Sequence, residues 1–166
     1  IHDAKGEQLR IAIGSDHAGL PIKAPLSGYL ESLGHEVVDV GPMSFDPDDD
    51  YPDFAAEVAR KVANGDAERG IMMCGSGVGA SVAANKIVGV RAAVCHDVYS
   101  AHQGVEHDDM NVLCIGARIV GEEVAKELVA SFAGAEFSGQ ERHQRRLGKV
   151  LALEAEMGNG PSTGSG

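Results

Sequence analysis

The run Ile71-Met72-Met73-Cys74-Gly75-Ser76-Gly77-Val78-Gly79-Ala80 constrains the chain more than any other stretch. Four apolar residues read as a buried strand. Three alternating glycines then read as a tight turn with close backbone approach, and the alanine-rich segment up to Lys86 as a helix. A strand, turn and helix in that order aim free backbone N–H groups at one point, with the positive end of the helix dipole behind them. Such a nest suits an anion, either a bound phosphate or an oxyanion formed during reaction. Cys74 stands at its mouth. Beside a helix N-terminus a thiol pKa falls from about 8.5 to between about 3.5 and 7.5, which makes a base or nucleophile. The competing reading is a small buried residue that ends a strand.

Around this unit the pattern alternates strand and helix. Strands are expected at Leu9–Gly14, Glu36–Val40, Ile71–Cys74, Gly89–Cys95 and Asn111–Gly116. Helices are expected through Ile22, Leu26, Tyr29, Leu30 and Leu33, then over Asp53–Ala63, Val98–Glu106, Gly121–Phe132 and Gln140–Met157. Pro21 and Pro25 fit the first helix only near its first turn, and Gly34 closes it. Asp46–Pro52 reads as a solvated acidic connection. Five apolar strands with intervening helices predict a Rossmann-like α/β/α sandwich of three layers on a parallel sheet, in the order 2-1-3-4-5. Ligands of such sheets bind beyond the C-terminal strand ends, where the strand order switches. The loops Asp16-His17 and Cys74-Gly75 would meet there.

One domain over residues 1–157 accommodates this pattern, with residues 1–8 as a frayed or non-native end and 158–166 as a flexible tail. A net charge of −11 argues against general binding to nucleic acid or to membrane surfaces, whose phosphates it repels. No apolar run approaches a bilayer span. Cys74, Cys95 and Cys114 are odd in number and far apart, which fits reduced cytoplasmic thiols better than disulfides or a zinc site.

The glycine turn is not a dinucleotide fingerprint, because its third glycine comes one place early, and no nucleotide P-loop pattern occurs. His17 and His107 stand out among seven histidines for their acidic neighbours. His102 and His107 are five apart, where zinc ligands on one helix face would be four apart, so no metal is expected. Arg142 and Arg146 share a helix face and suit a bidentate phosphate clamp; the bland alternative is a solvated face paired with Glu141. A nest, a candidate thiolate, two histidines and an arginine pair make a kit for proton transfer on a phosphorylated small molecule. With no hydride-carrier motif, isomerisation is favoured over redox chemistry.

In order along Leu9–Leu153, six motifs resemble the type B ribose-5-phosphate isomerase / galactose-6-phosphate isomerase family. They are Ser15-Asp16-His17-Ala18-Gly19, Asp50-Tyr51-Pro52, Cys74-to-Gly79 with Ala83-Ala84-Asn85-Lys86, Gly89-Val90-Arg91, Glu106-His107 with Asn111-Val112, and Arg142-His143-Gln144-Arg145-Arg146. The resemblance implies a cytoplasmic aldose–ketose isomerase of the pentose phosphate pathway. It would work through a cis-enediolate without metal or other cofactor, on a phosphorylated sugar. It implies Cys74 as the base between C1 and C2, with the Ser76 hydroxyl and the N–H groups of Gly75, Gly77, Val78 and Gly79 holding the enediolate. His107 would assist ring opening, Asp16 would contact the ring oxygen or hydroxyls, and His17, Arg118, Arg142 and Arg146 would bind phosphate. A branch that uses glutamate as base carries it where this chain has Ala80. A homodimer or dimer of dimers is implied, with sites between subunits. Asp108 replaces the family's usual asparagine, and a carboxylate accepts where an amide can also donate, so another sugar phosphate is the alternative substrate. A non-catalytic sugar-phosphate module is a further alternative, as is a redox thiol protein; retention of Cys74, Ser76 and His107 together counts against the former.

Overall fold

The computed structural model describes residues 7–158. The expected N-terminal end and C-terminal tail therefore lie almost wholly outside the described residues. In chain order the elements are β1 (Arg10–Ser15), α1 (Leu20–Ser32), β2 (Glu36–Asp39), α2 (Tyr51–Ala63), β3 (Arg69–Cys74), α3 (Val78–Ala84), β4 (Ala92–Val94), α4 (Val98–Asp108), β5 (Val112–Gly116), α5 (Glu122–Gly134) and α6 (Glu141–Gly158). The strands form one parallel sheet with helices on both faces, the α/β class that the alternation predicts. No helix among the described residues is long and apolar enough to cross a membrane.

The order of the last two strands differs from expectation: the sheet runs β2-β1-β3-β5-β4, not 2-1-3-4-5. Burial explains the exchange. All five residues of β5 are buried, whereas the three of β4 are half-exposed, so β5 fills the inner slot and β4 the edge. The expected strand at Gly89–Cys95 shrinks to those three residues. Asn85 lies against the β4 backbone and pairs with both polar groups of Ala92, at 2.8 and 2.9 Å, so a side chain satisfies groups at the sheet margin. The β2-β1-β3 part is as expected, and it brings the ends of β1 and β3 side by side.

Side-chain alternation divides the core in two. Ile11, Ile13, Ile71, Met73, Leu113 and Ile115 face a layer built by α1, α4 and α5, with Leu26, Leu30, Leu128 and Phe132. Ala12, Met72, Cys74, Val112 and Cys114 face α2 and α3, whose contact residues are Ala55, Val58, Ala59, Ala80 and Ala84. The second layer is packed close. A Cβ on Gly14 would lie 2.9 Å from one Val58 methyl, and a Cβ on Gly70 2.5 Å from the other. Cys74 therefore ends a strand on the tightly packed face.

The first helix runs through Pro25, well past its first turn, whereas the sequence places proline only near the start. The hydrogen bond that this proline gives up is the one to the Pro21 carbonyl, itself at the helix start, so the loss is confined there. At the far end of the sheet, the Arg69 guanidinium donates to the carbonyls of Phe132, Ala133 and Ala135 and closes the C-terminus of α5.

The fit at Gly70 gives a direct check on this packing. Gly70→Ala should cost about 1–3 kcal/mol in urea denaturation through overpacking. Val58→Ala in the same background should recover part of the loss, with a coupling of about 1 kcal/mol or more in the double-mutant cycle.

Candidate active site

Three strand ends meet where β1, β3 and β5 finish side by side. Asp16 N–H donates to Met73 O at 3.2 Å, Ala117 N–H to Cys74 O at 2.8 Å, and Arg118 N–H to Gly75 O at 3.0 Å. The exit of β3 is thus clamped from both sides. Asp16 then turns the chain into α1, its Oδ1 accepting from Ala18 N–H at 3.0 Å and Gly19 N–H at 3.1 Å. Gly19 must lack a side chain, since a Cβ there would sit 2.5 Å from Met73 O.

In the central turn, Gly77 adopts φ +80, the left-handed region that favours glycine. Its N–H points back and donates to Cys74 Sγ at 3.1 Å, and Val78 N–H donates to Ser76 Oγ at 3.2 Å. Two N–H groups expected to face a ligand thus have partners inside the turn, and one of them is the sulfur itself. Tyr51 presses its ring on Gly79, where a Cβ would be 2.5 Å from Cζ, and the Arg118 guanidinium lies over Gly75.

These groups line an open pocket of about 370 Å³, formed by Asp16, Tyr51, Cys74, Gly75, Ser76, Gly79, Arg118 and Ile119. Two other hollows are larger, about 420 Å³ beneath α6 and about 490 Å³ around Arg69 and Glu136. Neither is lined by a cysteine, and size does not decide here: the Cys74 thiol and the glycine turn are in the smaller one.

His17 sits beside Asp16 and is held by Asp49, a residue of the acidic Asp46–Pro52 connection. Asp49 Oδ1 accepts from His17 N–H at 3.0 Å and from the ring Nδ1–H at 2.6 Å. The Asp49 hydrogen bond raises the proton affinity of the ring; partial burial opposes it, Asp16 adds and Arg118 subtracts. Asp16, His17 and Asp49 bring metal-capable atoms within 4.8 Å of one another. The Asp16 Oδ1, His17 Nδ1 and Asp49 Oδ1 atoms are already engaged in the hydrogen bonds just given, so the arrangement is that of an ion pair.

The remaining predicted residues lie elsewhere. His107 and Asp108 end α4, just before Asn111, whose carbonyl accepts from Gly70 N–H at the start of β3. Cys74 is paired with Gly116 at the other end of β5. Five residues of strand separate the two ends, about 17 Å at the usual rise. Within one chain, His107, Asp108, Arg142 and Arg146 are not brought to the Cys74 pocket.

They form a second cluster. The rings of His107 and His143 stack with centroids 4.0 Å apart. His143 is buried, and burial followed by His107, Arg142 and Arg146 lowers its proton affinity. Arg142 Nε–H donates to His143 Nε2 at 3.3 Å, which places the ring proton on Nδ1, toward Ser138 Oγ at 2.5 Å. The Gln103 amide donates to His107 Nδ1 at 3.0 Å, leaving His107 Nε2–H 3.6 Å from Glu106 Oε1. Glu141 takes Arg145 at 2.8 Å, so the bland pairing belongs to Arg145. Among the described residues Arg142 and Arg146 have no carboxylate partner. Asp108 is exposed and lines the hollow beneath α6.

Comparison with known proteins now decides the family. Residues 11–150 match the family described as Ribose/Galactose Isomerase. This chain belongs to that family. It is 45% identical over 145 residues to "Ribose-5-phosphate isomerase B" of Escherichia coli, covering 87% of this chain and 96% of that protein. It is 40% identical over 148 residues to "D-erythrulose-4-phosphate isomerase 2" of Mycolicibacterium smegmatis, covering 88% and 97%. The crystal structure of ribose-5-phosphate isomerase B from Mycoplasma genitalium with bound ribulose-5-phosphate superposes with a TM-score of 0.84 at 45% identity, covering 89% of this chain and 97% of that one. The chain is an isomerase of the type B fold.

Tyr51, Asp49 and His143 are the residues that sequence reading missed as parts of these clusters. Asp50-Tyr51-Pro52 was a motif of the resemblance, but nothing in its spacing shows the ring over Gly79.

The three thiols should separate chemically. Burial pushes Cys95 up to about 11, and Cys114 is buried completely and pushed higher still. Only Cys74 lines the cavity. At pH 8, limiting iodoacetamide should alkylate Cys74 alone, read by peptide mass spectrometry, and Cys74→Ser should abolish the modification. Label on Cys95 instead would place the reactive thiol outside the site.

Proposed function

We propose that the chain interconverts ribose 5-phosphate and ribulose 5-phosphate through a cis-enediolate, in a homodimer with sites between the subunits. The observation that carries this reading is the Gly77 N–H on Cys74 Sγ at 3.1 Å, in a pocket that also holds Asp16 and Ser76. A thiolate so placed takes the proton from C2 of the open aldose. The electron pair moves into the C1–C2 double bond, and O1 becomes the enediolate oxygen. The proton returns at C1 as the O2 hydroxyl proton passes to O1, so that C2 becomes the carbonyl of the ketose and O1 its hydroxyl. Ser76 and the turn N–H groups still facing the cavity supply hydrogen bonds as charge develops on oxygen. Asp16 would accept from sugar hydroxyls.

His107 Nε2–H would serve the ring oxygen as acid when the furanose opens, and Arg142 and Arg146 would join His17 and Arg118 on the phosphate. The separation of the two clusters along β5 supports a second copy as their source. So does the exposed apolar surface: Val78 and Val82 on α3 beside the pocket, and Val150, Leu153 and Met157 on α6. Such a face needs a partner, and a two-fold pairing would bury both copies at once.

A second reading, isomerisation of a tetrulose phosphate, is favoured by the erythrulose-phosphate relative and by Asp108 beside His107. Rates on ribose 5-, allose 6-, galactose 6- and erythrulose 4-phosphate separate the two. On the preferred substrate, Cys74→Ala should lower kcat by roughly 10²–10⁴-fold while ligand still binds by calorimetry. Wild-type turnover in that variant would sink the mechanism.

The split site has its own signature. Cys74→Ala and His107→Asn should each be inactive, yet mixing them under exchange should restore roughly a quarter of the wild-type rate, since a mixed dimer carries one intact site. No recovery, with mixed dimers shown by native mass spectrometry, would place both residues in one chain's site.

A further inference from the structure

Asp49 has no part in the reaction just described, yet its geometry is unusual for a residue of an acidic loop. Its side chain is only 8% exposed, and its Oδ2 is buried with no hydrogen-bond partner. A buried carboxylate with an unpaired oxygen is costly unless a cation sits against it. The group against it is His17. One oxygen, Oδ1, holds that residue twice, through the backbone N–H at 3.0 Å and through Nδ1 at 2.6 Å. The Phe45 ring meets the imidazole edge-on with centroids 6.1 Å apart, so the ring is also limited sideways.

Resting on the reading of His17 as a phosphate ligand, we propose that Asp49 is a positioning residue. It grips His17 through Nδ1 and leaves a charge-backed Nε2–H to donate to the phosphate of the substrate.

The alternative protonation state shows why this matters. A neutral imidazole with its proton on Nδ1 presents a bare lone pair at Nε2, which repels a phosphate dianion. A carboxylate on Nδ1 favours the doubly protonated ring, and that ring donates at Nε2. The charged groups acting on His17 are Asp49 from the loop before α2, Asp16 at the end of β1 and Arg118 after β5. The two carboxylates hold the proton on and the arginine opposes them, with the Asp49 hydrogen bond the largest influence. The ring therefore stays cationic to a higher pH than a free histidine, and phosphate affinity is lost as pH rises through that point. Without the Asp49 charge the same loss comes at lower pH.

Asp49→Asn keeps an acceptor for both N–H groups and removes only the charge. The ¹³Cε1–¹H NMR signal of His17, assigned with His17→Gln, should titrate at lower pH in Asp49→Asn than in the wild type. KM for ribose 5-phosphate should match the wild type near pH 5.5 and exceed it roughly tenfold at pH 8, the size of one charge-assisted hydrogen bond. Asp49→Glu, which restores the charge, should bring the midpoint back toward the wild-type value. An unchanged His17 titration, or a KM raised equally at every pH, would overturn the proposal, the second outcome being that of a loop brace. Should ribose 5-phosphate not be turned over, the isomerase reading fails by itself. Inorganic phosphate then serves as the probe: a shift of the His17 signal that weakens in Asp49→Asn supports the role of Asp49, and no shift in the wild type refutes it.

Discussion

Everything at the candidate site depends on three main-chain hydrogen bonds that lock the end of β3 between its neighbours. Asp16 N–H on Met73 O, Ala117 N–H on Cys74 O and Arg118 N–H on Gly75 O leave the strand no freedom at the point where it turns. The turn is then forced tight, Gly77 takes φ +80, and its N–H swings back onto the cysteine sulfur. Asp16 and Arg118 reach the pocket as the residues that make those bonds. Side-chain placement here is a by-product of backbone pairing, which is why the site can be built at strand ends with little help from side-chain packing.

The sequence made the parallel α/β class legible, because apolar runs, glycine stops and helical periodicity all agree locally. It also marked the Cys74 turn and the neighbouring Asp16-His17 loop. The order of β4 and β5 was not legible, because it depends on how completely each strand is buried, and both runs look apolar in sequence. Asp49 was hidden among four aspartates within five positions, Asp46 to Asp50. Only the fold shows that the side chain of this one is buried and faces a histidine. Local reading also missed His143: a helix that looks basic and solvated puts one ring inward, against His107.

The motifs of the resemblance lie in order along the chain, but they do not all converge in space. Those at the ends of β1 and β3 do, joined by Tyr51 at the start of α2. Those on α4 and α6 gather at the opposite rim of the sheet, each cluster with its own hydrogen-bonded order. A linear motif list carries no information on which end of a layer its members occupy; that follows from strand direction and helix length. The His107–His143 stack and the Gln103 contact show that the distant cluster is ordered within the single chain. Under the dimeric reading it needs only to be carried into place as a rigid body.

The contrast between the two core layers bears on how this protein can vary. The α1/α4/α5 layer holds most of the largest buried side chains, so an exchange there can trade volume in either direction and be repaired by a neighbour. The α2/α3 layer has been pared to alanine and glycine against Val58, and at Gly14 and Gly70 there is no atom left to remove. Substitution at those two positions can only add volume, to a space that is already full. A deep mutational scan scored for folding alone should therefore show the Cys74 side of the sheet as the intolerant one. Sequence constancy there would report packing as much as catalysis, and the two cannot be told apart by variation alone.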